Sequence, residues 1–225
     1  MSKLQGFKTI CAFFVYTLFL VSTVYAEPAN LGKIKLEVQA YQNSGAYDQD
    51  LTQAIASAHT FIIDKARANK QKTHPDKLAV VLDIDETSLS NYKYMVAFGF
   101  SGTHQQWHQA IMAADAPVIK PMLSLYQDAV KKGVTVFFVT GRRETERAAT
   151  TKNLNEAGYK GWQELYLRPN DYNQPSVIPY KVQARADIAK KGYTIIASIG
   201  DQVSDLKGGY AEKTFKLPNP FYYLP

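Results

Sequence analysis

The stretch "LAVVLDIDETSLS", Leu78 to Ser90, constrains this chain more than any other. Its first half is an apolar run that suits a strand buried in a protein interior. Its second half crowds Asp83, Asp85 and Glu86 at the mouth of that strand. Carboxylates in such a place lose water and repel one another, so a partner has to be supplied. The candidates are a metal ion and basic side chains from elsewhere in the chain.

The segments around this strand settle the fold class. Asp48 to Ala68 reads as a helix with Leu51, Ile55, Ala58, Phe61, Ile62 and Ala66 on one face, and "KTHPDK" breaks it. After the strand, residues 88–118 turn aromatic and polar and read as a small helical lid inserted before the main fold resumes. Pro121 suits the first turn of a helix ending near Gly133. Next come the strand "VTVFFVT", a polar helix in "GRRETERAATTKNLNEAG", the strand "ELYLR" and a helix over "PYKVQARADIAKK". The strand "YTIIASIG" ends again in acids, at "DQVSD", and "KTFKLPNPFYYLP" offers one last short strand. Strands alternating with helices predict an α/β fold, a parallel sheet with helices on both faces. Ligands of such sheets gather at the strands' carboxyl ends.

The first 26 residues differ from the rest. Lys3 and Lys8 precede an acid-free apolar run from Ile10 to Val21, and Val24-Tyr25-Ala26 reads as a small-residue cleavage signal. This predicts a signal peptide over 1–26, export to the periplasm or the medium, and a protein of residues 27–225 that does not span the membrane. The apolar run is short for a membrane anchor, and Cys11 opens it instead of closing it, unlike a lipoprotein signal. Cys11 is the only cysteine, so no disulfide is expected after cleavage. Losing Lys3 and Lys8 lowers the formal charge from +6 to +4, which suits small anionic ligands and argues against nucleic acid. The densest basic patch, "KARANKQK" from Lys65, reads as the solvated end of a helix.

The chemistry is carried by strand ends. Asp83 and Asp85 are two apart and share a face while the strand persists. Hard oxygen donors from two strand ends, Asp83 and Asp201, are the kind of site Mg²⁺ occupies. In "FFVTGRRE", Thr140 brings a hydroxyl and Gly141 stands at the entry to a helix, together a phosphate cradle. Lys181, near the start of the helix after "SVIPY", can bring an ammonium to the same point. Asp205 follows Asp201 by one helical turn.

These motifs in this order resemble the haloacid dehalogenase (HAD) superfamily of phosphohydrolases: an apolar strand ending in D-x-D-x-T, then Thr before Gly, Lys, and G-D-x-x-x-D. "VVLDIDETSLSN", "GYKGWQELYLR" and "FKLPNPFYYLP" narrow the likeness to its subfamily IIIB of secreted acid phosphatases, which groups bacterial class B/C-type enzymes with plant vegetative storage proteins. It extends from about Tyr41 to Pro225, with Ser90 departing where relatives often carry an acid. The resemblance implies a Rossmannoid sheet with a small helical cap and the hydrolysis of phosphate monoesters. It implies Asp83 as nucleophile and Mg²⁺ ligand, and Asp85 as general acid, then base, binding Mg²⁺ through its backbone carbonyl. It also implies Thr140 and Lys181 on the phosphoryl oxygens, Asp201 completing the metal shell and Asp205 beside it. Asp85 must be protonated to release the alcohol, which predicts an acidic optimum.

Other readings are weaker. His104 and His108 have a spacing that can grip a transition metal, but no acid or cysteine accompanies them, and polar lid residues are the expectation. The lid aromatics Tyr92, Tyr94, Phe98, Phe100 and Trp107 are expected to pack the lid on the sheet. A non-catalytic storage or binding protein on the same scaffold is the main rival, and a phospho-accepting receiver is a second. Residues present at all six motif positions favour an enzyme over the first. Export and the insert after the first strand argue against the second.

Overall fold

The computed structural model describes residues 27–224. The expected signal peptide and Cys11 lie outside the described residues. Two helices open the fold, α1 (Leu31–Asn43) and α2 (Ala46–Asn69), joined through Gly45 at φ 80°, a left-handed conformation that glycine adopts without steric cost. There follow β1 (Lys77–Leu82), α3 (Tyr92–Ala97), α4 (His104–Ala113), α5 (Lys120–Lys131), β2 (Thr135–Arg143) and α6 (Arg147–Glu156). The chain continues through β3 (Glu164–Arg168), α7 (Ile178–Lys190), β4 (Tyr193–Gly200) and β5 (Ala211–Lys216). The five strands form one parallel sheet in the order β3-β2-β1-β4-β5. The chain winds outward from β1 to β3, then returns to lay β4 on the other side of β1. The direction of winding therefore reverses between β1 and β4, the crevice where such sheets bind ligands.

Strand alternation divides the core into two layers. Val80, Leu82, Val136, Phe138 and Ile196 pack with Leu51, Ile55 and Ile62 of α2 and Met122, Leu125 and Tyr126 of α5. Ala79, Val81, Phe137, Val139 and Ile195 face the other way, against Ala184 and Ile188 of α7. Helices thus cover both faces, as the alternation predicts. Ile62 is fully buried, and burial of such a side chain contributes about 1.5–3 kcal/mol. Pro121 and Pro179 sit in the first turns of α5 and α7, where no backbone donor is lost.

Two local differences from the sequence reading have physical causes. Helix α1 was not expected, because it carries no buried residue and so no strong apolar stripe. It is held by Val38 and Tyr41 against the core and by the Tyr41 hydroxyl donating to Asp50 at 2.5 Å. The helix after Thr140 does not begin at Gly141. Strand β2 runs on to Arg143, a 3-10 turn spans Glu144–Glu146, and α6 starts at Arg147. Thr140 pairs with Leu167 and Arg143 with Arg168, so Gly141 and Arg142 form a bulge with two unmatched residues.

Residues 92–113 form two short helices between β1 and α5. Helix α4 opens with a reciprocal cap: Thr103 Oγ1 accepts from Gln106 N at 3.3 Å, and Gln106 Oε1 accepts from Thr103 N at 2.8 Å. Among the described residues, no helix is long and apolar enough to cross a membrane.

Candidate active site

Beyond Leu82 the chain makes a tight reversal. The Ile84 carbonyl accepts from the N–H groups of Ser88 at 2.8 Å and Leu89 at 2.9 Å, while Glu86 adopts a left-handed φ of 54°. Such a conformation is costly for a side-chain-bearing residue and is found where a site requires it. The turn delivers Asp83, Asp85 and Glu86 to a cavity of about 910 Å³ at the carboxyl ends of the strands. The α3–α4 segment forms one wall through Phe100, Trp107 and His108, and the C-terminal tail contributes Phe221 and Tyr222.

Asp83 and Asp201 meet where the topology predicts. The Asp83 N–H donates to the Ile199 carbonyl at 3.0 Å, tying the β1 exit to β4. One carboxylate oxygen each of Asp83, Asp201 and Asp205 lies within 4.8 Å of the others, and all three residues are buried. Lys181, itself buried, donates to Asp83 Oδ1 at 2.7 Å and also to Asp205 Oδ1. Asp201 accepts from Asn219 Nδ2 at 2.5 Å, Gln202 Nε2 at 2.7 Å and Thr87 Oγ1 at 3.3 Å. Two of the three carboxylates thus share one ammonium, and the third, Asp201, is held by neutral donors. Burial, and then the Asp205 charge, push the Asp83 carboxyl well above its ordinary value in spite of Lys181. The same two causes raise Asp201. Burial opposes the charge on Lys181, but Asp205 and Asp83 outweigh it and raise the ammonium. Buried hard oxygen donors in excess over the local cations are a donor set that fits a divalent cation. Among the described residues this is the only cluster of three or more metal-ligating side chains, and neither His104 nor His108 belongs to it.

Asp85 turns to a different cation. Its Oδ1 accepts from Arg142 Nη2 at 2.7 Å, Arg142 Nε lies 3.1 and 3.2 Å from its two oxygens, and Asn91 Nδ2 donates at 2.8 Å. Burial alone would raise the Asp85 carboxyl; the Arg142 charge and these hydrogen bonds outweigh it and hold Asp85 below the ordinary value. Glu86 is pushed up to about 8 by burial and then by Asp85 and Asp201. It accepts from Asn91 N at 2.5 Å and from the Tyr222 hydroxyl at 3.1 Å.

Of the residues singled out on the sequence, Asp83, Asp85, Gly141, Lys181 and Asp201 line the cavity. Thr140 is fully buried outside that lining, its hydroxyl accepting from Arg142 N at 3.1 Å. Asp205 is buried, also outside that lining, and shares the Lys181 ammonium with Asp83. Sequence reasoning did not assign Glu86, Asn91, Arg142, Asn219 or Tyr222. Arg142 was the most accessible of these, standing two residues past Thr140; nothing periodic marks Asn219 or Tyr222. His108 is fixed by its Nδ1, 2.9 Å from Glu146 Oε1.

Known proteins bear on this arrangement. A profile of the HAD superfamily, subfamily IIIB (acid phosphatase), matches residues 21–225. The chain is 37% identical over 166 residues to the stem 28 kDa glycoprotein of Glycine max, covering 70% of this chain and 64% of that one. It is 36% identical over 148 residues to acid phosphatase 1 of Solanum lycopersicum, covering 64% of this chain and 58% of that one. The chain therefore spans somewhat under two thirds of these relatives. The class C acid phosphatase from Bacillus anthracis shares the fold, with a TM-score of 0.68 at 22% identity, covering 86% of this chain and 85% of that one. With β1 and β4 adjacent at the centre of the sheet and a profile match over nearly its whole length, the chain belongs to the HAD superfamily, subfamily IIIB, the acid phosphatase subfamily.

Proposed function

We propose that this chain is an exported, Mg²⁺-dependent acid phosphatase that hydrolyses small phosphate monoesters through an aspartyl-phosphate on Asp83. One observation carries the reading: Asp83 lies on the cavity lining, bonded to Lys181 and clustered with Asp201 and Asp205. Asp83 and Asp201, with the backbone carbonyl of Asp85, would hold Mg²⁺, and Asp205 would support the set from behind. When bound, the ion supplies positive charge that offsets repulsion between the Asp83 carboxylate and an anionic phosphate.

The chain's own groups do the rest. Lys181 and the backbone of Gly141 hold the phosphoryl oxygens, while Thr140 supports that backbone from below. An Asp83 oxygen bonds to phosphorus as the ester oxygen leaves, and Asp85 gives that oxygen a proton. Asp85 then takes a proton from the water that attacks the aspartyl-phosphate, which frees phosphate and restores Asp83. Acting as an acid, Asp85 must first take up a proton against its Arg142 contact. An acidic medium favours that step, and a rate that keeps climbing above pH 8 would contradict it.

The names of two relatives, vegetative storage proteins 1 and 2 of Arabidopsis thaliana, favour the rival reading of a non-catalytic scaffold. The complete set of Asp83, Asp85, Lys181 and Asp201 around one cavity favours the enzyme. Phosphate release from a generic aryl phosphate, with Mg²⁺ and with chelator, decides between them. Release that stops on chelation and is absent in Asp83→Asn supports the proposal; no release from the metal-loaded protein refutes it.

A further inference from the structure

The chemistry above leaves one wall of the cavity without a task. Arg143 ends β2 and Arg168 ends β3; the two are register partners in the parallel pair, and both line the cavity. Residues paired in this way present their side chains on the same face of a sheet. Among the described residues, neither guanidinium takes part in an ion pair with a carboxylate. Arg143 Nη1 donates to the Asn170 carbonyl at 2.6 Å, and the Arg168 guanidinium carbon stands 5.9 Å from the centre of the Tyr172 ring. The Nε of Arg168 is buried and has no hydrogen-bond partner. The acid that acts on Arg168, Glu146, already accepts from the Arg143 N–H at 2.7 Å and meets His108 Nδ1 at 2.9 Å. The contrast with Arg142 is direct, since its Nε and Nη2 are both taken by Asp85.

A buried N–H left unpaired is costly, and two neighbouring guanidiniums repel each other. Burial, and then the Arg143 charge, hold the Arg168 guanidinium below its ordinary value. An anion seated on the pair satisfies the donor and removes the repulsion together. Two guanidinium forks match the oxygens and double charge of a phosphate better than the single charge of a carboxylate.

We propose that Arg143 and Arg168 form a second phosphate subsite, so that the favoured substrate is a phosphate monoester whose leaving group carries a second phosphate. The inference rests on the phosphatase reading of Asp83, with which the subsite shares one cavity of about 910 Å³, large enough for a ligand of that class.

The test compares kcat/KM for adenosine 3′,5′-bisphosphate with that for adenosine 5′-monophosphate, keeping the nucleoside constant. The wild-type protein is expected to prefer the bisphosphate at least about tenfold. Arg168→Met and Arg143→Met should each lower that ratio about tenfold, through KM more than kcat, and Arg168→Lys should restore part of it. Circular dichroism establishes that each variant is folded; if one is not, the wild-type ratio and the other variant decide. Release from the monophosphate without preference for the bisphosphate, or a preference unchanged in the folded variants, overturns the subsite alone. Release from neither nucleotide while an aryl phosphate is hydrolysed also overturns the subsite alone; release from none of the three compounds overturns the phosphatase reading and the subsite with it.

Discussion

Asp83 occupies the most contested position in the molecule, buried with two other carboxylates and sharing the single ammonium of Lys181. Replacing it with Asn removes one charge and keeps the volume. Turnover of a phosphate monoester should fall by at least about a thousandfold in Asp83→Asn, while circular dichroism and the melting curve show a folded protein. Glu86 makes a separate prediction. Its folded value, about 8, lies above that of an unfolded glutamate, so the native state holds the proton more tightly. Its favourable contribution is complete below the unfolded value near 4.5 and disappears as pH rises through about 8. Chelator-treated protein should therefore lose stability across that window, with a slope of at most about 1.4 kcal/mol per pH unit from this group. Denaturant titrations between pH 4.5 and 8 should show a shallower slope in Glu86→Gln. An unchanged slope would assign the pH dependence elsewhere.

The elements differ in what they contribute. Strands β1 and β4 place Asp83 and Asp201 side by side because they are hydrogen-bonded neighbours whose ends coincide, Leu82 pairing with Ile199. The segment after β5 acts from outside the sheet. Its Asn219 donates to Asp201 and accepts from Phe221 N at 2.8 Å, while Tyr222 reaches Glu86 and Leu224 N donates to Gln202 Oε1 at 3.1 Å. The tail thereby orients an acid of the proposed metal site without lying in any strand. Outer groups that orient metal ligands typically account for 10–100-fold in metal affinity. Asn219→Ala should weaken Mg²⁺ binding about tenfold by calorimetry, with the fold intact. Unaltered affinity would show that Gln202 and Thr87 suffice to hold Asp201.

At the scale of the whole molecule, the proposed metal site would couple folding to its ion, because β1, β4 and the turn carrying Asp205 come together only in the native state. A cation bound to the folded chain at a hundred times its dissociation constant adds about 2.7 kcal/mol of stability. For a chain of this size that corresponds to a rise in Tm of roughly 5–10 °C. Scanning calorimetry with Mg²⁺ and with chelator should show this shift in the wild-type protein and lose most of it in Asp201→Asn. Equal melting curves with and without the ion would separate the acidic cluster from metal binding.

Much of this was legible along the chain. The apolar runs at Leu78–Leu82 and Val134–Thr140, and the helical face of Leu51, Ile55 and Ile62, each reflect burial within one element, which local patterning records. Asp83, Thr140, Lys181 and Asp201 could be picked out because each stands at the end of such an element. The strand order, the bulge at Gly141–Arg142, the Arg142 contact to Asp85 and the reach of Asn219 to Asp201 could not. These pair residues 57 or 18 positions apart in the chain, or depend on one strand's register against another. Spacing within a segment reports which face a side chain takes. Which charges meet across segments is set by packing, and with it whether a buried acid finds an ammonium, a guanidinium or another acid.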